Sequence, residues 1–128
     1  MQYYNLGFVF TQDRSQVALI KKNRPGWQAG KLNGIGGKTN REERGCDGIV
    51  REFFEETGVQ LNTWDFEEFG YLNSPDWDVV LFRAFTDRVY DIRQTTDEEV
   101  LLIPIQNITK YKTVSNVPAL ITLELDPL

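Results

Sequence analysis

The sequence predicts an α/β fold in which a mixed β-sheet is covered by helices. Three observations lead there. Strand-like segments come first, one helical segment interrupts them, and further strands and a final helix follow. The central helical segment has a single apolar stripe. The chain is 128 residues long and 41% hydrophobic, a size and composition suited to one ordinary core.

Residues 3–11 (YYNLGFVFT) and 16–21 (QVALIK) are rich in β-branched and aromatic types and flank Gln12-Asp13-Arg14-Ser15, so they predict a strand pair. Residues 24–38 carry five of the ten glycines, too many for a helix, and predict a loop, a short strand and a tight turn. In residues 45–57, Cys46, Ile49, Val50, Phe53, Phe54 and Thr57 recur at steps of three and four, and Gly58 closes the helix. Residues 62–74, 77–87 and 98–105 predict strands separated by turn residues such as Asn73-Ser74-Pro75-Asp76. Residues 116–126 predict a short helix with Pro118 in its first turn.

Composition narrows the chemistry. The single Cys46 closes no internal disulfide, and with no histidine there are no imidazole ligands or histidine triads, so carboxylates must carry any reaction. A net charge of −5 argues against capture of a nucleic-acid polymer, and no apolar run is long enough for a membrane span. The first 16 residues lack the basic region of a secretory signal, which leaves a reducing, cytoplasmic setting as the expectation. The oligomeric state stays open.

At roughly 100° per helical residue, counted from Cys46, the apolar stripe covers about −60° to 80°, while Glu52, Glu55 and Glu56 fall near 240°, 180° and 280°. Three like charges so placed destabilise a helix unless a cation intervenes. Arg51 offsets part of this, four residues before Glu55. Gly45 and Gly48 project to the same side and are expected to leave that face clear for a ligand. Such oxygen clusters suit Mg²⁺ or Mn²⁺ bridging to phosphates.

These residues resemble the Nudix box, Gx5Ex7REUxEExGU, where U is bulky and apolar. Gly37, Glu43, Arg51, Glu52, Phe53, Glu55, Glu56, Gly58 and Val59 match it in register over residues 37–59. On this resemblance the chain is identified as a member of the Nudix hydrolase family. The family fold implied is an α/β/α sandwich with a mixed sheet between helices, here as one domain over residues 1–128. The activity implied is Mg²⁺-dependent hydrolysis, with Mn²⁺ as the alternative ion, of a pyrophosphate bond in a nucleoside diphosphate derivative. The resemblance makes Glu52, Glu55 and Glu56 metal ligands, adds the Gly36 carbonyl, and has Arg51 orient a glutamate. Glu43 is expected to support the turn before the helix. For the general base the candidates are Glu52, Glu98 and Glu99, and resemblance to the MutT-like subgroup favours Glu99.

Substrate choice lies outside the box. Residues 31–38 (KLNGIGGK) resemble a segment of oxidised-purine nucleoside triphosphatases whose asparagine, matching Asn33, contacts the base. Residues 115–121 (SNVPALI) resemble a MutT stretch whose asparagine, matching Asn116, reads the purine, although Asn116 is equally suited to cap a helix. Lys22 and Lys38 are candidates for phosphate oxygens, with Arg24 as a weaker one, and Trp27 and Trp77 for stacking on a base or for ordinary packing. The expected substrate is a small nucleotide, a nucleoside triphosphate such as 8-oxo-dGTP or a related dNTP, cleaved to monophosphate and pyrophosphate. ADP-ribose or another dinucleotide is the alternative, disfavoured because no extra N-terminal segment is seen. A non-catalytic nucleotide-binding module would commonly have lost a box glutamate, and a calcium module would need a ligand loop that is absent here.

Overall fold

The computed structural model describes residues 1–125, so Asp126 of the expected C-terminal helix lies outside the described residues. Strands β1 (Gln2–Phe10) and β2 (Gln16–Lys21) form the expected antiparallel pair, joined through a turn in which Asp13 accepts hydrogen bonds from Thr11 and Ser15. They pair only near the turn, Val9 with Ala18 and Phe10 with Val17. Farther out, two short strands of the glycine-rich segment are inserted between them. Strand β3 (Leu32–Asn33) pairs with the end of β2, and β4 (Ile35–Lys38) pairs with the first half of β1.

Helix α1 (Asp47–Thr57) follows, then β5 (Glu67–Asn73), β6 (Trp77–Phe85), β7 (Val100–Pro104) and α2 (Val117–Leu125). Strand β6 lies parallel to β1 while the other pairings are antiparallel, which makes the sheet mixed. Residues 62–66, expected to extend a strand, instead form a turn at Thr63–Asp65, because the Asp65 carboxylate accepts the Asn62 N–H and closes a capping box.

Alternation along the strands sends side chains to two separate cores. Phe8, Phe10, Leu19 and Leu81 face α2, whose Val117, Leu120 and Ile121 cover them. Val9, Ala18, Ile20 and Phe82 face α1 through Ile49 and Phe53. This is the α/β/α sandwich. Gly58 ends α1 with φ 75°, a left-handed backbone that suits glycine, and its N–H donates to the Phe54 carbonyl. Phe54 itself departs from the expected stripe: it sits at the far edge of the apolar arc and is 47% exposed. Among the described residues no helix is long and apolar enough to cross a membrane.

The two glycines thought to clear the ligand-facing side have other reasons. Gly45 lies before the helix with φ 53°, and Gly48 is buried, where an added Cβ would stand 2.8 Å from Asn5 Nδ2 and 3.3 Å from Glu43 Oε1. Gly48→Ala should therefore destabilise the fold. Overpacking costs about 1–3 kcal/mol, more than the gain of up to about 1 kcal/mol in helix propensity. A denaturant titration showing the variant equal to or above wild type would contradict this packing.

Candidate active site

The box connects one strand, one turn and one helix. Strand β4 ends at Lys38, and the turn between it and α1 is held by Glu43, whose Oε1 accepts the Asn40 N–H at 2.7 Å. Arg51 reaches back from α1 and binds Glu43 twice, Nε to Oε2 at 2.7 Å and Nη2 to Oε1 at 3.0 Å. Its Nη2 also donates to the Lys38 carbonyl at 2.9 Å. Arg51 Nη1 then reaches Glu52 Oε1 at 3.0 Å and Glu55 Oε2 at 3.3 Å. One guanidinium thus fixes the turn to the helix and aligns two of its carboxylates. Its hydrogen bond pulls the Glu43 carboxyl below its ordinary range, and Glu43 in turn holds Arg51 firmly as a cation.

Glu52 lies against the open side of Gly37, where an added Cβ would meet its Oε1 at 2.6 Å and displace the carboxylate. Burial pushes the Glu52 carboxyl up, partly countered by Arg51. Glu56 is more extreme. Burial, followed by the charges of Glu52 and Glu98, pushes its carboxyl up to about 8, while Lys22 and the Gly36 backbone pull the other way. Its Oε2 is buried with no hydrogen-bond partner. An uncompensated acidic oxygen among further carboxylates is the environment that a hard cation relieves.

Among the described residues no three acidic or sulfur side chains converge closely enough to hold an ion as they stand. Arg51 takes the facing oxygens of Glu52 and Glu55. The residues nonetheless fit a divalent ion, because Glu56 Oε2 lacks any other partner and Gly36 lies beside it.

The other expected residues fall in two groups. Lys22 joins the carboxylates, with Nζ 3.1 Å from Glu98 Oε1, and Glu98 Oε2 also accepts the Asn23 N–H at 2.6 Å. Of the two glutamates before β7, Glu98 is the buried one that acts on Glu56, whereas Glu99, preferred from the sequence, is exposed. Lys38 is exposed at the end of β4. Asn33 is half-buried, with its Nδ2 donating to Gln28 Oε1 at 3.3 Å and its Oδ1 accepting the Gly34 N–H at 2.8 Å. Asn116 is exposed immediately before α2, where its carbonyl accepts the Leu120 N–H at 3.0 Å. A bridge between Leu32 and Thr113 brings the two asparagine-bearing segments side by side. Trp27 is 64% exposed in the Gly26–Gln28 turn, and Trp77 is 39% exposed at the start of β6.

The sequence matches the NUDIX domain family over residues 2–119. The chain belongs to the Nudix family. Its sequence is similar to the oxidized purine nucleoside triphosphate hydrolase of Mus musculus, 33% identical over 87 residues that make up 65% of this chain and 54% of that protein. The chain thus spans about half the length of the curated relative it matches. Among solved structures, MutT from Aliivibrio salmonicida and Vibrio cholerae superposes with a TM-score of 0.81 at 19% identity, covering 97% of this chain and 98% of that one. The NUDIX domain of Shewanella oneidensis NrtR complexed with ADP ribose gives 0.73 at 17% identity, covering 95% and 84%. Both likenesses bear on the fold, and they agree with the two-layered cores around a mixed sheet.

Proposed function

We propose that this Nudix chain is a divalent-cation-dependent pyrophosphohydrolase that cleaves a nucleoside triphosphate to the monophosphate and pyrophosphate. An oxidised purine nucleotide such as 8-oxo-dGTP is the substrate we favour. The observation that carries the reading is the buried, unpartnered Glu56 oxygen beside Glu52 and Glu98, within a complete box. The similarity to the mouse triphosphate hydrolase supports the substrate class.

Glu52, Glu55, Glu56 and the Gly36 carbonyl would hold Mg²⁺ or Mn²⁺. When bound, the ion supplies positive charge that neutralises pyrophosphate oxygens and makes water a better nucleophile. Arg51 keeps Glu52 and Glu55 oriented through its grip on Glu43. Glu99, which is exposed, is the better-placed proton acceptor, since Glu98 is buried with both carboxylate oxygens engaged, by Lys22 and by the Asn23 N–H. Lys22 and Lys38 would neutralise phosphate oxygens. Asn33 and Asn116, on adjacent segments, are suited to read a purine edge, since an amide both donates and accepts, and Trp27 to stack on the base.

The test is a panel of 8-oxo-dGTP, dGTP, ADP-ribose and NADH incubated with Mg²⁺, with the products identified. Pyrophosphate and a nucleoside monophosphate, formed fastest from 8-oxo-dGTP, are expected. AMP and ribose 5-phosphate from ADP-ribose alone would move the assignment to a dinucleotide-type substrate. No turnover of any nucleotide would leave a binding module.

A further inference from the structure

We propose that Asn5 is a positioning residue for the Glu43–Arg51 clamp, an inference that rests on reading the box as the pyrophosphohydrolase site. Asn5 lies in the middle of β1, paired with Gly37 of β4 and Val80 of β6, on the face that α1 covers. It is 4% exposed. Gly7 and Val9 follow it on that face, so an amide interrupts an otherwise apolar row.

The amide is used at one end only. Asn5 Nδ2 donates to Thr39 Oγ1 at 3.1 Å, while Oδ1 is buried without a partner. Leaving an amide oxygen unpaired in the interior is costly, and an apolar residue of similar shape would avoid it. Stability therefore does not account for asparagine here. What it accomplishes is placement. Thr39 also donates its N–H to the Tyr3 carbonyl at 2.9 Å, so β1 grips it twice. The next residue, Asn40, supplies the N–H that holds Glu43, and Glu43 fixes Arg51. Gly48 of α1 closes the arrangement, lying so near that an added Cβ would touch both Asn5 and Glu43. Asn5 thus ties the centre of the sheet to the turn from which the α1 carboxylates are aligned.

Asn5→Leu, Thr39→Val and Thr39→Ser test this through three measurements: hydrogen exchange of the Arg51 Nε–H by NMR in metal-free protein, kcat and KM on the best nucleotide, and Tm. In Asn5→Leu and Thr39→Val, the Nε–H should exchange about tenfold faster and kcat fall about tenfold, the effect typical of losing an outer support of a metal site, with KM nearly unchanged. Tm of Asn5→Leu should hold or rise. Thr39→Ser keeps the acceptor and should match wild type. Unchanged Nε–H exchange in both disruptive variants overturns the proposal, whatever happens to Tm. Should Asn5→Leu fail to fold, Thr39→Val decides alone. If wild type cleaves no nucleotide, the functional reading fails, and the exchange rates still decide the role of Asn5.

Discussion

Glu56→Gln should abolish metal-dependent hydrolysis, by about 1000-fold or on the order of 4 kcal/mol in the barrier, while the metal-free protein gains stability. The two effects share one cause. Glutamine keeps the shape of Glu56 but removes the charge that has no partner at Oε2. In wild type, burial and the charges of Glu52 and Glu98 raise this carboxyl from 4.5 to about 8. A folded-state value above the unfolded one gives stability that is complete below about 4.5 and is lost as pH rises through 8. The Tm advantage of the variant should accordingly widen from pH 5 to pH 8 and then level off. Mg²⁺ should raise the Tm of wild type and leave the variant nearly unmoved, because an ion that binds only the folded state stabilises it. Full hydrolytic rate in the variant would remove Glu56 from the metal site, and a lower metal-free Tm would remove the electrostatic argument.

Most local spacings are legible in the sequence and contacts across the fold are not, although the Asn62–Asp65 capping box is a local signal that a strand over 62–66 leaves out. The α1 stripe and the Gly58 cap depend on neighbours three to five residues away, and the Nudix box is itself a local spacing, so both are visible in the chain. Gly48 is different. Its reason is Asn5, more than forty residues away, and without that contact the glycine resembles a clearing for ligand. Glu98 and Glu99 are adjacent and chemically equal, so nothing local separates them. Lys22 and the Asn23 N–H, supplied by the end of β2 and the residues after it, draw Glu98 inward and leave Glu99 exposed. Asn5 did carry a signal, as a polar residue within an apolar alternating strand, although its partner Thr39 could not be read from it.

Glu124 carried a similar signal, falling in step with Val117, Leu120 and Ile121 on the buried stripe of α2. It is 1% exposed and neither carboxylate oxygen has a partner. Arg83 of β6 is close by, but its Nη1 donates to the Glu124 backbone carbonyl at 2.8 Å and its other nitrogens engage Glu67. Its charge therefore eases the burial of the carboxyl only in part, and burial pushes that group from 4.5 up to about 10. The sign follows as for Glu56: stability is complete below about 4.5 and is lost as pH climbs through 10. Neutrality lies about 2.5 pH units above the ordinary value, and at about 1.36 kcal/mol per unit the cost there is about 3 kcal/mol. Glu124→Leu should recover most of this. Leucine suits the apolar stripe, and the bond from Arg83 to the backbone survives the change. Denaturant unfolding should show wild type weakening steadily from pH 5 to pH 10, whereas the variant should weaken less up to about pH 8, where Glu56 still acts, and then level off. A variant no more stable at pH 7, or one that keeps the alkaline slope, would mean that the carboxyl is better solvated than its burial implies.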